Sequence, residues 1–325
     1  MEMTSKDLTS FLRPQEPSTT VQQVARYSSQ DFDSSEIIGL ENDVKTIKEW
    51  ILWPDEEILK VGIVGMGGLG KTTIAQKVMN DREVRGYFEK MIWVSDKGQM
   101  LRRIHQLLEG KSFLIVMDDV WNIDFEWWRR LSSNLPTPTE KSSCFIVTTR
   151  NEDVAFGVDS YRINRPKVLN PEESWSLFSK FAFSARKGIC PNSHFEKVGK
   201  EIVEKCRGLP LAIKTIGASL APKIHSLTEW KKTRDDFDEL TTRGQTSSVL
   251  ASLQLSYDEL PSLLKTLLLC FSIYPEDSVI HTEQLIHWWI GEGLIRSTNG
   301  RTATELGFEY LSELAGRCLV EVVQQ

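Results

Sequence analysis

The sequence has no CxxC pair, no signal-like apolar stretch at its start and no excess of positive charge. Each absence removes a class of function. Its five cysteines, Cys144, Cys190, Cys206, Cys270 and Cys318, are scattered, so zinc has no ligand framework. An odd, dispersed set suits a reducing compartment. Cys144 and Cys270 lie in apolar runs and read as core thiols. The opening residues, Met1 to Asp7, carry no apolar region of the signal-peptide kind. The strongest apolar run, Leu263 to Tyr274, contains Lys265 and is too short to span a bilayer. A soluble, cytoplasmic protein with no membrane segment is expected. Lysine plus arginine total 39 against 45 aspartates plus glutamates, a net charge of −6, which argues against a basic surface built for nucleic acid.

What is present is an ordinary globular composition, 40% hydrophobic and 26% charged in 325 residues, enough for two or three small domains. Residues 1–36 stand apart. They are rich in Ser, Thr, Gln, Asp and Pro, with Pro14 and Pro17 breaking the early apolar cluster. They read as a polar arm, with room for one short helix from Val21 to Tyr27.

From residue 37 the pattern changes. Leu59 to Val64, Met91 to Val94, Phe113 to Met117 and Cys144 to Val147 are short apolar runs without alternation. Such runs suit strands buried on both faces, hence a parallel sheet. Helical stretches fall between them at Lys71 to Asn80, Met100 to Leu108 and Phe125 to Asn134. Alternation of strand and helix predicts an α/β, doubly wound domain over residues 37–165. After about residue 165 the strands largely stop. Asn170 is placed as an N-cap, with Pro171 at the first helical position and Glu172 and Glu173 in the first turn of a helix to Phe183. Further helices are expected at Phe195 to Cys206, Pro210 to Leu220, Thr246 to Leu255, Leu260 to Phe271 and Thr282 to Gly291. A helical domain over 166–243 and a last domain over 244–325 follow.

Gly65-Met66-Gly67-Gly68-Leu69-Gly70-Lys71-Thr72 matches G-x-x-x-x-G-K-[ST]. Phosphates wrapped by backbone N–H groups require a chain that curls without side chains in the way. The helix that starts near Gly70 aims its free N–H groups and partial positive charge at them. Lys71 would reach the β- and γ-phosphates, and Thr72 would ligate magnesium through its hydroxyl; Thr73 belongs to the same contact set. The motif follows a predicted strand and precedes a predicted helix, as a phosphate loop must.

A second run, Phe113 to Met117 followed by Asp118-Asp119-Val120-Trp121, is a strand ending in two acids. Read alone it is equally a strand and an acidic turn; the phosphate loop upstream favours a magnesium site, with Asp118 the ligand and Asp119 the candidate water-orienting base. A third, Ile146-Val147-Thr148-Thr149-Arg150, ends in an arginine that either senses a terminal phosphate or makes a surface ion pair. A winged-helix DNA reader is disfavoured, because Thr282 to Ile295 holds no lysine. Its Trp288 and Trp289, like Trp127 and Trp128, read as core or interdomain contacts.

Taken in order, these motifs resemble the NB-ARC domain, the nucleotide-binding switch of plant intracellular immune receptors, which animal apoptosome ATPases share. The resemblance rests on Ile37-Ile38-Gly39-Leu40-Glu41, the phosphate loop, Met91-Ile92-Trp93-Val94-Ser95, Asp118 to Trp121, and Thr148-Thr149-Arg150. It continues through Leu169-Asn170-Pro171-Glu172-Glu173, Cys206-Arg207-Gly208-Leu209-Pro210-Leu211-Ala212, Leu255 to Pro261, Cys270 to Asp277 and Trp289 to Ile295. It implies a P-loop NTPase domain, a helical domain and a winged helix, binding ADP or ATP with Mg2+. It also implies that Ile38 and Gly39 touch adenine, that Pro210 packs near it, and that Arg150 contacts the terminal phosphate. Rest with ADP, activation on exchange for ATP, domain rotation and assembly into rings are further implications. Partners would be other immune receptors or signalling proteins, in homo- or hetero-oligomers.

Three departures qualify the resemblance. The stretch between Ser95 and Phe113 is shorter than usual. The sequence stops at Val323-Gln324-Gln325, where family members continue into a Met-His-Asp motif whose histidine contacts the ADP β-phosphate. No leucine-rich repeats are present, and residues 1–36 are short for a signalling domain. The expected function is a nucleotide-dependent switch or adaptor in plant defence; the alternatives are a slow ATPase and a nucleotide-independent scaffold that pairs with a full-length receptor.

Overall fold

A computed structural model describes residues 38–320, apart from 95–107, 109, 122–124, 134, 136–140, 243–245, 276–277 and 299. The polar arm, the predicted Met100 to Leu108 helix except Leu108, and Ile37, Ser95, Glu276 and Asp277 of the quoted motifs lie outside the described residues, as does the Trp127 side chain.

The first unit is a five-stranded sheet in the order β2-β3-β4-β1-β5, with all pairings parallel. The strands are β1 (Ile58–Val64), β2 (Lys90–Val94), β3 (Phe113–Met117), β4 (Ser143–Thr149) and β5 (Arg162–Asn164). β3 and β4 are buried along their whole lengths, which is why they read as unbroken apolar runs. β2 lies at the sheet's edge and is buried only at Val94. The pleat divides the strands between two cores. Leu114, Val116, Cys144 and Ile146 pack against α1 (Glu41–Leu52), α2 (Lys71–Asn80) and α3 (Arg82–Tyr87). Phe113, Ile115, Phe145 and Val147 face the other way, against Trp128 and Leu131 of α4 (Phe125–Ser133) and Val154 of α5 (Glu152–Gly157). Trp128 meets Phe145 edge-on at 5.4 Å. Each such buried side chain is worth about 1.5–3 kcal/mol, and two covered faces hold the sheet rigid under its loops.

The second unit is helical: α6 (Pro171–Ala182), α7 (Ser193–Lys205), α8 (Pro210–Leu220), α9 (Leu227–Thr242) and α10 (Ser248–Asp258). α6 opens on the expected cap. Asn170 accepts the Glu173 N–H at 2.8 Å, and the Glu173 carboxylate accepts the Asn170 N–H at 2.9 Å. Trp230 of α9 centres the core, stacked on Phe183 at 5.4 Å and edge-on to Phe195 at 5.0 Å. α10 joins two units: Ala251 and Leu255 pack in this core, whereas Tyr257 packs with the next.

The last unit gathers α11 (Ser262–Leu269), α12 (Thr282–Gly291) and α13 (Ala303–Gly316) around Leu264, Ile286 and Trp289. Its β structure among the described residues is one antiparallel bridge, Thr298 to Arg301. Trp289 is fully buried and Trp288 half-buried, so both serve the core as expected. Cys144 is buried as well, but Cys270 is not: it begins a short 3-10 turn on the surface of this unit and is only partly covered. Its apolar neighbours in sequence do not enclose it because Leu269 and Ile273 themselves point outward. No helix among the described residues is long and apolar enough to cross a membrane.

Candidate nucleotide-binding site

Strand register builds the site. Val64 at the end of β1 lies opposite Thr149 of β4, and Met117 at the end of β3 lies opposite Val147. The loops that leave these three strands therefore share one edge of the sheet: the glycine loop from β1, Asp118 to Trp121 from β3, and Arg150 from β4. Ligands of open parallel sheets bind at this carboxyl edge. Because β4 lies between β1 and β3, Arg150 leaves the sheet between the loop and the acidic pair.

The glycine loop is held at its first turn by the Gly65 N–H, which donates to the Thr149 carbonyl at 3.1 Å. Gly68 and Gly70 have φ of 80° and 95°, a region that glycine enters without steric cost. Gly70 is the N-cap of α2 and provides no side-chain cap, so the helix's first amides and its partial positive charge are left for an anion. Lys71 is buried, and its Nζ donates to the Met66 carbonyl at 3.1 Å. Burial holds this ammonium below its ordinary pKa; Asp119 opposes that shift and Arg150 adds to it.

Thr72 Oγ1 donates to Asp118 Oδ1 at 3.0 Å. Thr148 Oγ1 donates to the same oxygen and accepts the Asp119 N–H at 2.8 Å. Burial pushes the Asp118 carboxyl up, against the hydroxyl hydrogen bonds from Thr148 and Thr72. The Thr72 and Asp118 oxygens fit a magnesium ion: oxygens on adjacent corners of an octahedron with bonds of about 2.0–2.1 Å lie about 2.9 Å apart. A hydroxyl and one carboxylate are hard donors of the kind that would hold a phosphate-bound magnesium, and the ion would supply charge neutralisation between phosphate oxygens.

Asp119 adopts φ 45°, an uncommon conformation for a residue other than glycine. Three contacts hold it. Its N–H is bound by Thr148 as above, its Oδ2 accepts the Trp121 Nε1–H at 3.1 Å, and the same oxygen lies 3.7 Å from Arg150. The Arg150 guanidinium sits 4.2 Å from the centre of the Trp121 ring. Its other side abuts the loop: a Cβ added to Gly67 would stand 3.3 Å from Arg150 Cζ.

The helical unit closes over the same loop. Pro210 is the first residue of α8, and the next amide, Leu211, donates to the Gly68 carbonyl at 3.2 Å. Leu69 is buried in the cluster that forms the helical core, together with Leu209 and Ala251, while its Cδ1 stays close to Gly65 of the loop. Ile38 packs against that core too. Gly39, at φ 81°, fits under Leu169, whose Cδ2 a Cβ would meet at 2.3 Å. Thr73 is half-buried in the first turn of α2. A separate concavity of about 620 Å³ lies between α7 and α9. Its charged walls, such as Arg234 and Glu201, pair with one another, and it includes none of these residues.

The sequence motifs thus meet at one edge. Three contributors carried no assigned role in the sequence: Thr148, Trp121 and Leu211. All three sit inside quoted motifs, and a hydroxyl at the end of a buried strand is the signal that marks Thr148.

The NB-ARC domain profile matches residues 40–101 and 94–188, and the Disease resistance protein Winged helix domain profile matches residues 273–325. Disease resistance RPP13-like protein 4 of Arabidopsis thaliana is 46% identical over 332 residues, covering 92% of this chain and 38% of that protein. Disease resistance proteins RPH8A and RPP8 of the same plant are 34% and 33% identical, each over 92% of this chain and 36% of their own length. The chain spans less than two fifths of the length of these relatives. It belongs to the NB-ARC family of nucleotide-binding domains, in the form carried by plant disease resistance proteins.

Proposed function

We propose that the chain is a switch or adaptor in plant defence signalling that binds ADP or ATP with Mg2+ and changes its domain arrangement with the nucleotide. One observation carries this reading: the phosphate loop is shared between two units. Its glycines and Lys71 belong to the sheet edge, while its Leu69 is buried in the helical core and its Gly68 carbonyl is bound by Leu211. A ligand that reshapes the loop has differential contacts in the two arrangements, which is what a population shift requires. In this reading residues 37–165, 166–243 and 244–325 are the moving bodies, α10 is the link, and residues 1–36 are an arm. Phosphate contacts come from Gly65, Gly67, Gly68, Leu69, Gly70, Lys71, Thr72 and Thr73, the terminal-phosphate contact from Arg150, and base contacts from Ile38, Gly39 and Pro210. Asp118 and Thr72 hold magnesium. Partners are other immune receptors or signalling proteins, in the cytoplasm.

Turnover is slow in this reading. Asp119, the candidate water-orienting base, has its Oδ2 engaged by Trp121 and faced by Arg150, which leaves it poorly free to orient water.

The test is to purify the chain without added nucleotide, denature it and identify what is released, with Lys71→Ala as control. Near-stoichiometric ADP or ATP, absent from the variant, is expected. A wild-type chain that releases nothing and has no measurable affinity for either nucleotide would falsify the reading.

A further inference from the structure

Trp121 is an unusual residue for its place. It follows the acidic pair at the sheet edge, is 54% exposed and belongs to no hydrophobic cluster among the described residues. Partial exposure of a single aromatic ring is ordinary, so what distinguishes Trp121 is its contacts. It has two directed contacts. Its indole N–H donates to Asp119 Oδ2 at 3.1 Å, and its ring face receives the Arg150 guanidinium at 4.2 Å. Arg150 approaches the same Oδ2 at 3.7 Å. Asp119 thereby fixes the ring, the ring and Asp119 fix the guanidinium, and the guanidinium rests against Gly67 of the phosphate loop.

We propose that Trp121 is a positioning residue for Arg150, holding its guanidinium against Gly67 at the phosphate loop and so setting the preference for a nucleoside triphosphate over a diphosphate. The inference rests on the function proposed above, in which Arg150 meets the terminal phosphate. An arginine side chain on an exposed loop carries about 2 kcal/mol of rotamer entropy. A stacking face removes much of that freedom before the ligand arrives, so less is lost on binding. Trp is the strongest cation-binding ring, and such contacts contribute about 0.5–2 kcal/mol. Asp119 neutralises the guanidinium while no phosphate is there. A diphosphate has no group for Arg150 to meet, so its affinity does not depend on the stack.

Affinities of the whole chain for ADP and for a non-hydrolysable ATP analogue, both with magnesium, test the proposal by calorimetry. Trp121→Leu keeps apolar bulk without a π face, and Trp121→Phe keeps a face without the indole donor. Trp121→Leu is expected to weaken the triphosphate about tenfold while ADP stays within about twofold. Trp121→Phe is expected to restore most of the loss. Arg150→Ala should lose at least as much, and adding Trp121→Leu to it should cost nothing more, because the ring acts through the guanidinium. An unchanged preference in Trp121→Leu, equal loss of both nucleotides, failure of the Phe variant to rescue, or additive losses in the double variant each overturn the proposal. A wild-type chain that binds neither nucleotide overturns the function above and this inference with it, a pattern distinct from all of those.

Discussion

Leu211 donates its backbone N–H to the carbonyl of Gly68 at 3.2 Å. The bond ties the first turn of a helix in the second unit to the crown of the phosphate loop in the first. There is no room for a side chain at the junction: a Cβ on Gly68 would lie 2.9 Å from Leu211 Cβ and 3.3 Å from Val249 Cγ2. The adjacent Leu69 is the apolar half of the same joint. A change in loop conformation is therefore expected to be felt at the helical unit.

Leu69→Ala should loosen that joint. Removing a buried leucine costs about 2–5 kcal/mol, depending on how far the site collapses. The denaturation midpoint should fall, and amide exchange over residues 209–213 should speed up relative to the Trp230 core. Unchanged exchange at the Leu211 amide would show that the loop and the helical unit are not coupled through Leu69.

The pH dependence of Asp118 has a definite sign. Burial raises its folded-state pKa above the usual carboxylate value, so between those two values the native state holds more protons than the unfolded state. Stability of the nucleotide-free chain therefore falls as pH rises through that window. Asp118→Asn removes the penalty of a buried charge while keeping an oxygen for Thr72 and Thr148. The variant is expected to flatten that fall and to unfold at a higher temperature near neutral pH. It is also expected to weaken the magnesium dependence of nucleotide binding, with Asp118 taken as the magnesium ligand of the proposed function. A steeper pH profile in the variant would contradict the assignment.

Gly307→Ala probes the third unit. Its Cβ would fall 2.5 Å from Cγ2 of Ile286, a fully buried residue, between α12 and α13. Overpacking of this kind costs about 1–3 kcal/mol. Exchange should rise in residues 282–316, with ADP retention unchanged. Loss of nucleotide in this variant would instead place the third unit's packing within the binding equilibrium.

Much of the sheet was legible because its central strands β3 and β4 are buried along their whole lengths and so appear as apolar runs of five and four residues, Phe113 to Met117 and Cys144 to Val147. The helix Lys71–Asn80 and the helix Pro210–Leu220 have the expected bounds, each marked by a residue that starts or shapes a terminus. Other elements were not expected from the sequence. α1 is mostly polar and buries only Ile47 and Ile51. α9 is the longest described helix, but its strongly charged surface masks the three buried residues Trp230, Thr233 and Phe237. β5 is three residues long and gains its identity only by pairing with β1. Cys270 packs against the core of the last unit but is only partly buried, because an apolar run does not say which of its residues face fully inward.

The sequence by itself determined the local chemistry: a glycine loop able to wrap phosphate, a lysine and threonine after it, and acids and an arginine at strand ends. Local spacing suffices because backbone curl, helix onset and strand end are set within a few residues. Only the tertiary structure decided which of these groups share an edge, because strand order is a long-range pairing. It placed β4 between the loop and the acids, put Thr148 between Asp118 and Asp119, laid Trp121 under Arg150 and buried Leu69 in a neighbouring unit. Those relationships join residues 29 or more positions apart, and packing alone brings them together.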